Sequence, residues 1–255
     1  MTVLITRSEP GASQLAVALR EQGVGCLVSP LLAVRSLEPW SINTYHAGHG
    51  WQASNIPEPN PLVVIVLSAH AAHRYVASDL FKQRMSSQKF EHVAIGPASA
   101  APLIEVGITP LLPDQPVSEG IVEMPYFSRG SQVWDDHWAW IVSGKEGRDH
   151  IAPMLTDRLG LHFCKISVYE RTEVEPADWN PSTISVVSVA SNQALEVFKR
   201  HWLLRGGNMN VPLLVPSMRL LELAQHSGFN NARNVGSAST QQLVEAICAM
   251  DLAHD

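Results

Sequence analysis

Cysteine is scarce in this sequence: three among 255 residues, Cys26, Cys164 and Cys248, far apart and each set among apolar neighbours. No Cys-x-x-Cys occurs, so a disulfide framework and the usual zinc and redox spacings are excluded, and buried, reduced thiols are expected. Basic charge is short as well, with 18 Lys+Arg against 24 Asp+Glu and a formal net charge of −6. Broad binding to nucleic acid or to an anionic membrane needs an electropositive face, so neither is expected, and only a local basic pocket stays open. Long apolar runs are missing: the longest aliphatic stretch, residues 62–67, falls far below the roughly 20 residues that cross a bilayer. Met1 leads straight into the strand-like Val3-Leu4-Ile5 without a basic n-region or an apolar h-region, and a cytoplasmic location is expected.

The glycine-rich phosphate loops are absent too. Gly144-Lys145 is followed by Glu146 rather than Ser or Thr, and no G-x-G-x-x-G follows a strand, so no nucleotide cofactor is expected. His46 and His49, and His70 and His73, have three-residue spacing but lack the cysteine or carboxylate that would complete a site. Solvated histidines and no metal are expected. A nucleophile elbow of the G-x-S-x-G type is missing. Trp134, Trp138 and Trp140 alternate over a strand-like segment and are expected to pack in a core.

What is present is an apolar content of 45%, enough for a real core, arranged as short apolar runs that alternate with helical periodicity. The runs cover residues 3–5, 62–67, 92–95, 138–142, 163–168, 184–187 and 211–215. Fully apolar strands alternating with helices predict parallel sheets flanked by helices, an α/β fold. Ser8-Glu9-Pro10 opens one helix, with Leu15 and Leu19 on its apolar face and Gly23 as its stop; Asp149 opens another, closed by Gly160; Ser217 opens a third, closed by Gly228.

The two halves carry similar units. Val64 leads through a strand to Ser68, and Val187 leads through another to Ser191, each serine opening a helix. Further on, Gly96 and Gly107 bracket a helix with the same eleven-residue interval as Ser217 and Gly228. Two similar domains are therefore expected. If the first strand and helix belong with the C-terminal copy, the chain crosses between domains twice, near residues 30–35 and 166–172, and the two extended crossings can pair as a two-stranded ladder. The expected domains are residues 1–35 plus 172–255, and 36–171. Residues 36–61, polar and proline-rich, are expected to separate the first unit from the second.

Strand-to-helix turns rich in Ser, Thr and Gly recur at Thr6-Arg7, Ser68, Gly96 through Ser99, Ser118, Ser143-Gly144, Ser191 and Ser217. In an open α/β sheet such turns gather at the carboxyl edge, where helix N-termini present N–H groups to an anion. Arg7, Arg148, Arg171 and Arg219 are the cations nearest these turns, and Lys145 adds another.

In chain order, Leu4-Ile5-Thr6-Arg7, the strand ending in Ser68, Ala94-Ile95-Gly96-Pro97-Ala98-Ser99, Ser118-Glu119-Gly120, Gly147-Arg148 and Val168-Tyr169-Glu170-Arg171 resemble the uroporphyrinogen-III synthase family. Leu67 and Ser99 depart from it, since threonine is common at both positions. The resemblance implies two α/β domains joined by the ladder, the first built from both chain ends, with the active site in the cleft between them. It implies a monomeric, cofactor-free hydro-lyase of haem-type tetrapyrrole synthesis. Such an enzyme converts hydroxymethylbilane to uroporphyrinogen III with inversion of the last pyrrole ring; a transient contact with the preceding pathway enzyme is compatible with it. Tyr169 is the candidate catalytic residue, because a phenol can donate to a departing hydroxyl without burying a charge. Thr6, Arg7, Ser68, Gly96, Ser99, Ser118, Gly144, Arg148, Arg171, Ser191, Ser217 and Arg219 are the candidate substrate contacts. The rival from another class is a non-catalytic two-lobed α/β module that binds a small anionic ligand.

Overall fold

Apolar runs too short for helices, each ended by a polar turn, fold as strands, and the capped amphipathic stretches between them fold as helices. A computed structural model describes residues 1–54, 61–87, 90–128, 134, 137–146 and 150–251. In chain order the elements are β1 (Thr2–Ile5), α1 (Gly11–Glu21), β2 (Gly25–Val28), β3 (Leu32–His46), β4 (Gly50–Ser54), β5 (Pro61–Val66), α2 (Ala69–Val76), α3 (Asp79–Ser87), β6 (Glu91–Ala94), α4 (Pro97–Glu105) and α5 (Ser118–Glu123). They continue as β7 (Trp138–Gly144), α6 (Ile151–Leu159), β8 (His162–Glu173), β9 (Val186–Ser188), α7 (Asn192–Leu204), β10 (Leu213–Val215), α8 (Met218–His226), β11 (Ala232–Asn234) and α9 (Thr240–Asp251). The chain divides into two compact units, Met1–Val34 with Thr172–Asp255, and Arg35–Arg171.

The first unit holds a five-stranded sheet in the order β11-β10-β9-β1-β2, with every neighbouring pair parallel. Alternate residues of each strand point to opposite faces, so one sheet buries two cores. Leu4, Val187, Leu213 and Val215 pack under Leu195, Phe198 and Trp202 of α7 and Leu220 of α8. Val3, Ile5, Val186 and Leu214 face the other way, against Leu15 and Leu19 of α1 and Leu243 and Ile247 of α9. Each such buried aliphatic side chain contributes about 1.5–3 kcal/mol, and this two-sided burial is why the strands read as unbroken apolar runs.

The second unit holds a six-stranded sheet in the order β4-β3-β8-β7-β5-β6. Val63, Ile65, Val93, Ile141 and Phe163 pack with Ile121 of α5 and Ile151 and Leu155 of α6. Val64, Val66, Trp140 and Val142 are buried on the opposite face, as are Ala72 and Tyr75 of α2 and Leu103 of α4. His92 of β6 is also buried, with its Nε2 3.4 Å from the hydroxyl of Tyr75. Trp134 and Trp140 lie in the core as expected, 3% and 0% exposed, whereas Trp138, at the start of β7, is only half-buried.

The two sheets share one plan. Written from the other edge, the first reads β2-β1-β9-β10-β11; the matching part of the second reads β8-β7-β5-β6, continued by a parallel bridge from Val93 to Leu111 where β11 would stand. The paired segments noticed in the sequence, β5 to α2 with β9 to α7, and β6 to α4 with β10 to α8, occupy matching places. Gly107 and Gly228 end the corresponding helices with φ of 86° and 100°, a region that costs a side chain but not glycine. Chain order differs: β1 and β2 precede their copy, whereas β7 and β8 follow theirs, so one copy is a circular permutation of the other.

Three expectations are corrected. The second sheet is mixed rather than parallel, because β3 and β4 pair antiparallel from Ile42↔Ser54 to His46↔Gly50 within the segment expected to be a separator. Its polar residues belong to an edge hairpin with much of its surface in solvent, and the ring of Tyr45 meets that of Trp51 edge-on at 5.4 Å. All three cysteines are free, but only Cys164 is buried; Cys26 and Cys248 are half-buried at the margin of the core that α1 and α9 cover. Finally, α6 starts at Ile151 after His150; Arg148 and Asp149 lie outside the described residues. No described helix is long and apolar enough to cross a membrane.

Candidate active site

In both sheets the crossovers diverge on either side of one strand pair. From β5 the chain moves outward to β6, then returns to β7 on the other side and moves on to β8; β9 and β1 stand in the same relation in the first unit. Ligands of open α/β sheets bind outside the carboxyl ends of such a pair, where the loops part. In the second unit the carboxyl ends of β5 and β7 deliver Ser68 and Gly144 to a groove of about 330 Å³, with Ser118, Glu146, Tyr169 and Arg171 also on its walls.

Tyr169 reaches this groove through an irregularity in β8. Ser143 pairs with Ser167, but Gly144 pairs with Tyr169, so one residue of β8 is extra and the alternation shifts. The ring is 4% exposed. A Cβ on Gly144 would stand 2.6 Å from the Tyr169 ring, so the tyrosine fits only because β7 ends in glycine. The Tyr169 hydroxyl is 3.3 Å from Ser68 Oγ, and Arg171 Nη2 donates to it at 3.4 Å with the guanidinium over the ring, 5.4 Å from its centroid. Ser68 Oγ in turn accepts from the backbone N–H of Ala71 at 3.1 Å, capping α2.

His70 stands at the start of α2 with its ring edge-on to Tyr169, 4.8 Å between centroids. Burial, followed by the charges of Arg74, His73 and Arg171, holds its imidazole below the ordinary histidine range. The turn after β7 is tied to β8: the Lys145 N–H donates to the Tyr169 carbonyl at 2.8 Å, and the carboxylate of Glu146 accepts from the Arg171 N–H at 2.9 Å. The side chain of Glu170, 11% exposed, accepts from Arg35 Nε at 3.0 Å and from Lys145 Nζ at 3.4 Å. The hydrogen bond from Arg35 is the main reason its carboxyl stays below the usual carboxylate range.

At the matching edge of the first unit, Thr6 is buried and its hydroxyl donates to the Ser188 carbonyl at 2.7 Å. Arg7 donates to the Ala238 carbonyl at 3.1 Å and lies over Gly11, where a Cβ would meet the guanidinium at 2.7 Å; burial lowers its pKa. Ser191 and Ser217 cap α7 and α8.

The family model described as uroporphyrinogen-III synthase HemD matches residues 13–233. The chain belongs to this family. Among curated proteins, the uroporphyrinogen-III synthase of Escherichia coli K12 is 26% identical over 265 residues, covering 97% of this chain and all of that protein. The uroporphyrinogen-III synthase of Salmonella typhimurium LT2 is 27% identical over 269 residues, with the same coverage. Among solved structures, a mutant uroporphyrinogen III synthase of Thermus thermophilus aligns with a TM-score of 0.60 at 11% identity, over 99% of this chain and 98% of that one. The Helicobacter pylori 26695 enzyme aligns at 0.59 and 11%, over 98% and 99%. At that identity the structures speak for the α/β fold alone.

Of the residues that the uroporphyrinogen-III synthase resemblance singles out, Ser68, Ser118, Gly144, Tyr169 and Arg171 share one groove. Gly96 caps α4, and a Cβ there would be 3.1 Å from Pro116; Ser99 is buried inside α4. Arg219 is exposed on α8. Sequence reasoning did not find Glu146 or His70 as members of the site. Glu146 is the residue that breaks the Walker motif after Gly144-Lys145, and His70 follows a capping serine by two positions; neither signal is specific.

Proposed function

We propose that this chain is a uroporphyrinogen-III synthase that dehydrates and cyclises hydroxymethylbilane, inverting the last pyrrole ring, as a monomeric, cofactor-free hydro-lyase of the cytoplasm. The match of the family model across residues 13–233 carries the reading. A non-catalytic binding module is not favoured, because the family and the curated relatives alike are named as synthases.

The groove supports a chemical division of labour. Arg171 donates to the Tyr169 hydroxyl, and Ser68, whose oxygen already accepts from Ala71, has its own proton to donate there too. With both lone pairs served, the tyrosine proton is free to meet a departing hydroxyl. The carbon–oxygen bond of the hydroxymethyl group breaks with its electron pair, the hydroxide takes the tyrosine proton and leaves as water, and an azafulvene cation remains. Attack by the terminal pyrrole gives a spirocyclic intermediate that reopens and recloses with the ring inverted. The proton lost from the pyrrole carbon as aromaticity returns restores the phenol. Holding the ends in position contributes the rest, with a ceiling of about 7–11 kcal/mol.

The substrate's acetate and propionate groups need donors. Ser118 and Arg171 supply them around the groove, together with backbone N–H groups in the first turn of α2. By the family resemblance, Thr6, Arg7, Ser191, Ser217 and Arg219 are the ligand contacts of the first unit. Added to freshly made hydroxymethylbilane, the purified protein directs closure to the III isomer, whereas spontaneous closure gives the I isomer. An isomer ratio that is the same with and without protein defeats the reading.

A further inference from the structure

A carboxylate on the wall of a groove for a polyanionic ligand is an electrostatic misfit, and Glu146 is such a carboxylate. It lines the same groove as Tyr169, Ser68 and Arg171. Its placement is not accidental to an exposed turn, because three hydrogen bonds fix that turn: the Arg171 N–H donates to Glu146 Oε2 at 2.9 Å, the Lys145 N–H donates to the Tyr169 carbonyl at 2.8 Å, and buried Lys165 donates its ammonium to the Lys145 carbonyl at 3.2 Å. The guanidinium of Arg171, whose backbone N–H holds Glu146, points over the Tyr169 ring. Among the described residues the Glu146 carboxylate takes only the Arg171 N–H, on one oxygen, which leaves lone pairs to offer a ligand.

A fixed negative charge that opposes the bound anion is useful only if positive charge develops next to it. The proposed reaction does this at one stage: once hydroxide has left, the pyrrole carries a cation whose N–H is a strong donor. We propose that Glu146 stabilises this azafulvene cation and the transition state that leads to it, while Tyr169 serves the leaving group on the same groove. The carboxylate takes no proton and forms no bond; it supplies a preorganised charge where charge appears, the usual source of catalytic advantage in such sites. This inference rests on the synthase reading.

Glu146→Gln tests it cleanly, because the amide oxygen can still accept from the Arg171 N–H and the side chain keeps its size. Steady-state kinetics with hydroxymethylbilane should show kcat lower by roughly ten- to a hundredfold, less than for an enclosed oxyanion donor because this carboxylate is exposed. KM should be unchanged or lower, since a charge repelling the ground state has gone. Glu146→Asp keeps the charge and should recover part of the loss, a pattern that a merely structural role for the turn would not produce. A kcat within twofold of wild type, or a rise in KM, overturns the proposal while wild type still makes the III isomer. If wild type makes only the I isomer, the synthase reading is the one that fails.

Discussion

At the scale of residues, Tyr169 combines two properties that are rarely found together: a ring that is almost wholly buried and a hydroxyl that reaches a groove wall. Gly144 makes room for the ring, and Ser68 and Arg171 orient the oxygen. Removing only that oxygen should therefore leave packing intact and weaken leaving-group assistance. Tyr169→Phe is expected to lower kcat on the order of ten- to a hundredfold, toward the low end of general-acid effects because both hydrogen bonds to the hydroxyl are long. Its unfolding midpoint should stay close to that of wild type. A variant that turns over at the wild-type rate removes Tyr169 from the chemistry. The setting of Tyr169 was legible in Val168-Tyr169-Glu170-Arg171, but its direction was not. The extra residue in β8 that turns it toward Gly144 is a tertiary pairing irregularity without a local mark. Glu146 was hidden for a related reason: as a residue type it argues against an anion site, and only the groove gives it a role.

At the scale of elements, the strand-serine-helix unit is the recurring piece, and the serine's first duty is local. Ser68, Ser191 and Ser217 each accept from the N–H three residues on, at 3.1, 3.2 and 3.3 Å. These caps are legible in sequence because a polar residue between an apolar strand and a periodic helix has few other uses. Ser217→Ala should lower stability by about 1 kcal/mol, within a range of about 0.5–2, because the Leu220 N–H loses its acceptor at the start of α8. Urea unfolding reads this directly, and Ser217→Asp, which keeps an acceptor, should restore most of it; equal midpoints for wild type and Ser217→Ala would show that water replaces the cap at no cost. The hairpin of β3 and β4 escaped the same reasoning. An edge hairpin with one half-exposed face has the polar composition of a loop, and proline within residues 36–61 strengthened the misreading. The antiparallel pairing of β3 with β4 makes the sheet mixed, while the β5, β6, β7 and β8 core is parallel throughout.

At the scale of the whole molecule, the acidic balance of 24 to 18 is compatible with the anionic substrate of the proposed reaction, because a few N–H groups and arginines at sheet edges would serve recognition without a positive net charge. Net charge therefore says little about binding, and the same holds for stability, where one buried neutral base counts for more than several surface charges. His92 is 2% exposed on β6, with the Tyr75 hydroxyl at 3.4 Å from its Nε2. Burial pushes its pKa from 6.5 down to about 4. Between those values the unfolded chain takes up a proton that the folded chain refuses, so stability rises with pH across the window. The sign is fixed by that difference: the full stability is present above about 6.5 and is lost progressively as pH falls toward 4, by roughly 1.4 kcal/mol per pH unit where only the unfolded form is protonated. His92 belongs to the Arg35–Arg171 unit, so the loss belongs to that unit's core of β5, β6 and β7 and not to the sheet containing β1 and β9. Hydrogen exchange at pH 7 and pH 5, corrected for intrinsic rates, should show protection falling in β6 while β10 holds its value, and His92→Gln should flatten the β6 response. Equal losses in the two sheets, or an unchanged slope in His92→Gln, would mean that acid acts on this protein through its many surface carboxylates and not through one buried imidazole.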